Sequence, residues 1–227
     1  MSERDDVAVA HRLLLVRHGE VASHRGDVPV TDPGLETARQ VGRKLGAEHR
    51  ALRVLTGATL RTRQTGDALA EGARSEGATL TGPRVAFALR NPDIYVAGER
   101  VDMVSSAATL AEQVPGMTED QAAANAFFAE FFHHPDRIGW WLTRSEVPGD
   151  DRDTLARRVD AFARSLADPG GQSTGITVGV THSPVLRACA LAHLGSDPGE
   201  PPWVAGLDYA VLTDGALRVT PFAIDRT

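Results

Sequence analysis

Apolar residues in this chain gather in short runs that end abruptly, and between the runs they recur every three or four positions. The first run, Leu13-Leu-Leu-Val16 after Arg12, stops at Arg17-His18-Gly19-Glu20. A short apolar run closed by glycine reads as a strand buried on both faces, as in a parallel sheet. A turn-rich stretch from Ser23 to Gly34 follows. Thr31 or Asp32 can cap a helix that starts near Pro33 and carries Leu35, Ala38, Val41 and Leu45 on one face. Residues 52–56 predict a second strand, closed by Gly57, and residues 60–73 a second helix. Residues 79–87 predict a third strand. Further on, residues 151–167 read as a long helix with Asp150 or Asp151 near its start. Residues 175–181 form the clearest core strand; it ends at His182, and a helix runs from Pro184 to about Leu194. Strands at 209–213 and 217–221 straddle Asp214-Gly215, a strong hairpin signal. Repeated strand–helix units predict an α/β fold: a three-layer α/β/α sandwich with a mostly parallel central sheet.

The stretch from about 88 to 150 breaks this alternation. It holds a predicted helix over 118–132 and many aromatics: Phe127, Phe128, Phe131, Phe132, Trp140 and Trp141. It reads as a helical and loop insertion within one domain spanning residues 1–227. Composition fits that picture. A length of 227 residues suits one large domain with an elaboration, and 42% hydrophobic with 24% charged residues excludes collagen-like and wholly disordered chains. With 24 Lys and Arg against 30 Asp and Glu, the net charge is −6, which argues against general nucleic-acid binding. The single cysteine, Cys189, can form neither an internal disulfide nor a cysteine-based zinc site. No apolar run is long enough for a membrane span, and residues 1–6 lack the basic start and apolar middle of a signal peptide. The expectation is a cytoplasmic protein with neither nucleic-acid nor membrane partners.

In a parallel α/β sheet, ligands bind beyond the carboxyl ends of the strands. Three predicted strand ends carry unusual residues: Arg17-His18-Gly19 after the first, Gly57 leading to Arg61 after the second, and Thr181-His182-Ser183 after the last core strand. Arginine forks match phosphate oxygens, and histidine is a nucleophile and proton carrier at neutral pH. Each residue alone has an ordinary explanation, His182 as a core histidine and Arg61 as a solvated helix charge. Together they suit phosphoryl transfer to a histidine.

The stretch Leu14-Leu-Val-Arg-His-Gly-Glu20 resembles the signature of the histidine phosphatase superfamily, the phosphoglycerate mutase-like fold. Val30-Thr-Asp-Pro-Gly34, Leu60-Arg-Thr-Arg-Gln-Thr65, Val178-Gly-Val-Thr-His182 and the closing hairpin agree with it in order. The resemblance covers nearly the whole chain except about 90–150. It implies that His18 is the nucleophile and that Arg17, Arg61 and His182 bind and neutralise the phosphate. It implies a phosphomonoester hydrolase acting on a small-molecule phosphate ester through a phosphohistidine, with no cofactor and no metal. A phosphoglycerate-type mutase, or a catalytically weak binding member of the same fold, is the alternative. The mutases' "ERxYG" segment is absent here.

One position departs from the pattern. Where many members carry a glutamate acid in a "LxE" segment, this chain has Leu89-Arg90-Asn91, and an amide cannot donate and recover a proton. Asp93 is the nearest carboxylate and the favoured general acid; Glu99 is the runner-up and Asp102 the next. Ser23, beside His24 and Arg25, is a candidate phosphate ligand. Glu20 reads as a loop-orienting residue. His133 and His134 are adjacent on a helix and point apart, which argues against a metal site. Trp140 and Trp141 read as packing, or as lining an apolar substrate cleft.

Overall fold

The computed structural model describes residues 7–23, 26–169 and 175–223. The chain begins with β1 (Val9–Arg17), α1 (Asp32–Glu48), β2 (Ala51–Thr56), α2 (Leu60–Ser75) and β3 (Thr79–Val85). A small hairpin, β4 (Ile94–Val96) and β5 (Glu99–Val101), opens the inserted segment. Four short helices complete it: α3 (Ala107–Ala111), α4 (Glu119–Ala123), α5 (Ala126–His133) and α6 (Arg137–Leu142). The frame then resumes with α7 (Arg152–Ser165), β6 (Ile176–Thr181), α8 (Ser183–Leu194), β7 (Gly206–Leu212) and β8 (Leu217–Phe222).

The main sheet has the order β3-β2-β6-β1-β7-β8. Its first four strands are mutually parallel, and β7 and β8 close it antiparallel. The mostly parallel sheet between helix layers is the predicted architecture. Alternation along β1 divides the core: Leu13 and Leu15 face the cluster that contains α7, α8 and the inserted segment, while Leu14 and Val16 face α1 and α2. Leu13, Leu15 and Val16 are fully buried and Leu14 nearly so, as expected for a strand covered on both faces. On the second face α1 and α2 pack backbone against backbone. A Cβ on Gly42 would lie 2.1 Å from the Leu69 carbonyl oxygen, and one on Gly72 2.1 Å from that of Arg39, so both positions require glycine.

Local signals set most boundaries. Thr31 caps α1, its side chain accepting from the Gly34 N–H, and Asp151 caps α7 through the Thr154 N–H. The single helix expected over 118–132 is two. Thr118 and Gln121 form a capping box on α4, and Asn125 then starts α5 by accepting from the Phe128 N–H. The β4–β5 hairpin and α6 were not expected. The hairpin turns on Ala97 and Gly98, both at positive φ (51° and 86°), and alanine there gives no turn signal. Among the described residues, no helix is long and apolar enough to cross a membrane.

Candidate active site

Register brings the two histidines together. β1 and β6 are adjacent and parallel, with Arg17 opposite Thr181, so His18 and His182 leave neighbouring strand ends side by side. The His18 N–H donates to the Thr181 carbonyl at 3.0 Å, and the two imidazole centroids are 5.4 Å apart. The Gly57 N–H bonds to the Val180 carbonyl, which fixes the end of β2 beside them; α2 then begins and carries Arg61 in its first turn. Arg17, His18, Arg61 and His182 all line one cavity of about 710 Å³.

The His18 Nδ1 lies 2.8 Å from the Gly19 carbonyl oxygen. A carbonyl only accepts, so Nδ1 carries the proton and the imidazole lone pair sits on Nε2. The Gly19 N–H donates to Thr65 Oγ1 at 2.8 Å, and that hydroxyl donates to the Arg61 carbonyl at 2.7 Å. Thr65 thus ties the loop after β1 to the helix that bears Arg61. The missing side chain of Gly19 is required by packing, since a Cβ would meet Val30 Cγ1 at 2.8 Å and the Gly34 carbonyl oxygen at 3.1 Å.

Arg17 is buried and Arg61 partly buried, and among the described residues neither Nε–H has a hydrogen-bond partner. Among the described residues, Arg61 makes long approaches, 3.4 Å to the Gly26 carbonyl and 3.5 Å to Asp27. Arg17 is more firmly engaged. Its guanidinium donates to the Pro201 carbonyl at 2.7 Å, pairs with Glu200 at 2.5 Å and stacks 3.4 Å from the centroid of Trp203. Burial, only partly offset by Glu200, and the nearby Arg61 bring the Arg17 guanidinium down to about 10. His182 is pushed well below its ordinary value, first by burial and then by Arg61, His18 and Arg17, so it is neutral at pH 7. A cavity floor that gathers two arginines and two histidines suits an anion.

The favoured general acid is not at the cavity. Asp93 is buried outside its lining, with hydrogen bonds from Arg90 and Arg100. Burial works against its charge, but those hydrogen bonds prevail and hold the carboxyl at about 2. A carboxylate so held is anionic at neutral pH and has no proton to give, which corrects the expectation for Asp93. Glu99 is exposed at the start of β5, also outside the lining. Asp102 pairs with Arg100 at 3.3 Å and its charge reaches Arg61, but it too lies outside the lining. Asn91 is on the wall, mostly buried, and its Oδ1 has no hydrogen-bond partner. Thr181 holds this segment in place by donating to the Leu89 carbonyl at 2.8 Å.

Ser23 is not among the cavity-lining residues, and His24 and Arg25 lie outside the described residues. Glu20 is exposed and accepts from the Thr31 N–H through its backbone carbonyl. His133 and His134 each bond a backbone carbonyl, and no group of three His, Cys, Asp or Glu among the described residues is placed to hold a metal ion. Trp140 and Trp141 are buried in the core, away from the cavity, and Cys189 is likewise buried. Of the aromatics singled out in the insertion, Phe131 reaches the cavity, together with Met103, Val104 and Ile138.

The pattern of the histidine phosphatase superfamily (branch 1) matches residues 13–81, the segment that carries Arg17, His18 and Arg61. The resemblance to the histidine phosphatase superfamily holds. Solved structures share the phosphoglycerate mutase-like fold across most of their length. A mycobacterial glucosyl-3-phosphoglycerate phosphatase in complex with VO3 aligns with a TM-score of 0.58 at 18% identity, covering 96% of this chain and all of that one. A phosphoglycerate mutase from Bacillus anthracis str. Sterne gives 0.58 at 17% identity, covering 95% and 93%. An Entamoeba histolytica phosphoserine phosphatase mutant bound to phosphoserine gives 0.56 at 12%, covering 93% and 96%. None of the curated proteins matches this chain in sequence.

For a chain with a histidine-phosphatase-like floor, sequence reading missed three residues at or beside it: Thr65, Glu200 and Trp203. Thr65 sits inside the matched Leu60–Thr65 stretch, so its hydroxyl was a readable signal. Glu200 and Trp203 lie in the loop between α8 and β7, where only the composition Pro201-Pro202-Trp203 stands out.

Proposed function

We propose that this protein is a phosphomonoester hydrolase that works through a phosphohistidine on His18. The observation that carries the reading is the convergence of Arg17, Arg61, His18 and His182 on one cavity. The His18 Nε2 lone pair attacks phosphorus and the ester P–O bond breaks. Arg17, Arg61 and His182 hold the phosphoryl oxygens as charge moves onto them. Water then attacks the phosphohistidine, the N–P bond breaks, and inorganic phosphate leaves with His18 restored.

The arginines supply the positive charge that a cation supplies elsewhere, so the reaction is expected to run without metal. Among the described residues, the carboxylates that line the cavity are Asp136 and Glu200, and arginines engage both. Asp136 on the wall is held at about 2, mainly by its hydrogen bonds from Arg187, and Glu200 is engaged by Arg17 and Ser183. The leaving oxygen therefore takes its proton from water, and aryl esters, whose phenoxide departs unaided, should react faster than alkyl esters. Met103, Val104, Phe131 and Ile138 suit an ester with an apolar organic part. A reducing compartment such as the cytoplasm suits the lone thiol of Cys189.

A panel of aryl and alkyl phosphomonoesters, assayed with chelator present, tests this. Turnover should survive chelation, favour aryl esters and disappear in His18→Ala. Turnover that needs a divalent ion, or that survives in His18→Ala, contradicts the reading.

A further inference from the structure

The loop between α8 and β7 holds Arg17 from several directions at once. Pro201 offers its carbonyl to one terminal nitrogen, Glu200 its carboxylate to the other, and Trp203 its ring face to the guanidinium plane. The partners differ in exposure: the Arg17 side chain is 5% exposed, that of Glu200 49%. The carboxylate is steadied from behind by the Ser183 hydroxyl, which donates to Oε2 at 2.6 Å, and by Arg187 at 3.8 Å. Ser183 directly follows His182 and begins α8. Glu200 itself lines the cavity.

We propose that Glu200 is a built-in anion that occupies the Arg17 side of the phosphate site when the site is empty and must give it up when a phosphoryl group enters. This deepens the hydrolase reading and rests on it. A carboxylate in contact with Arg17 stands next to any phosphate oxygen that Arg17 grips. Two like charges at such a separation repel, and in a partly buried site the repulsion is weakly screened. In the empty site Glu200 keeps a buried cation matched, which avoids the penalty of an unpaired charge. With phosphate bound it works against retention, so the product leaves more readily. Half exposed, and held from behind by the Ser183 hydroxyl and at longer range by Arg187, Glu200 can turn outward without disturbing the floor. Glu200 is thus a positioning residue that sets anion affinity.

The prediction has a sign, because a carboxylate that merely oriented Arg17 for the phosphate would act in the opposite direction. Binding of inorganic phosphate is measured by calorimetry on the full chain for wild type, Glu200→Gln, Glu200→Ala and Glu200→Asp. We expect Gln and Ala to bind phosphate about tenfold tighter than wild type. On an aryl phosphate both should lower KM and also lower kcat, as product release slows. Glu200→Asp keeps the charge and should stay near wild type in phosphate affinity. Unchanged or weaker phosphate binding in the neutral variants, with thermal midpoints near wild type, overturns the proposal while leaving the hydrolase reading intact. If Gln fails to fold, Ala decides. If wild type and variants alike fail to bind phosphate, the hydrolase reading falls and takes this inference with it.

Discussion

The cavity has a floor and a wall, and they hold their side chains by different means. The floor is made where strands stop: the pairing of Arg17 with Thr181 puts His18 beside His182, and one backbone hydrogen bond to Gly19 sets the tautomer of His18. Much of the wall comes from the inserted segment, whose helices are too short to be stable alone and depend on caps and charge clusters. In one cluster Asp93 and Asp150 meet Arg90, Arg100 and Arg158; in another Arg187 meets Asp136 and Asp197. The floor is thus rigid through the sheet, while the wall is rigid through ion pairs. Chemistry should fail when the floor is altered, and stability or substrate choice when the wall is.

The sharpest contrast comes from Arg61 on the floor. Arg61→Ala removes a guanidinium from the cavity lining and should lower kcat/KM about 10²–10³-fold, with little change in thermal midpoint. The check is steady-state kinetics beside a melting curve. A large fall in midpoint with intact kinetics would move Arg61 into the structural class and erase the contrast.

Asp93, behind the wall, should show the reverse. Its folded value of about 2 lies below the ordinary 3.8, so its contribution is fully present above about pH 4 and is lost as pH falls toward 2. Asp93→Asn should therefore cost about 2 kcal/mol at pH 7 and flatten the acid limb of the stability curve between pH 4 and 2. It should leave the ratio of aryl to alkyl turnover unchanged. A selective loss of alkyl turnover in this variant would restore Asp93 as the acid.

This division also explains what the sequence disclosed. Strand endings are local: an apolar run, then Arg17-His18-Gly19, is read from adjacent residues, and so is Thr181-His182. Their meeting follows once the sheet is parallel. The wall is not local. Arg158 donates to the carbonyl of Arg90, 68 positions away, and Asp150 accepts from the Asp93 N–H across 57. Asp93 stands close in sequence to the expected acid position, but three arginines, two of them beyond its neighbourhood, turn it into a structural anion. Trp203 shows the same limit: it stacks on Arg17 and lies 5.4 Å from His18 between ring centroids, and the Pro201-Pro202 before it marks a loop without pointing to that contact. In the insertion, apolar periodicity over 118–132 concealed the break that Asn125 makes by capping a new helix.

The central claim is covalent, and so is its most direct test. Wild-type protein mixed with an aryl phosphate should be quenched rapidly without acid, digested and read by mass spectrometry, beside His18→Ala treated identically. The account predicts one added phosphoryl group on the peptide that contains His18, sequenced to that imidazole, and none in the variant. Phosphate found on another residue, or turnover at full rate with no phosphorylated His18 at any quench time, would contradict it.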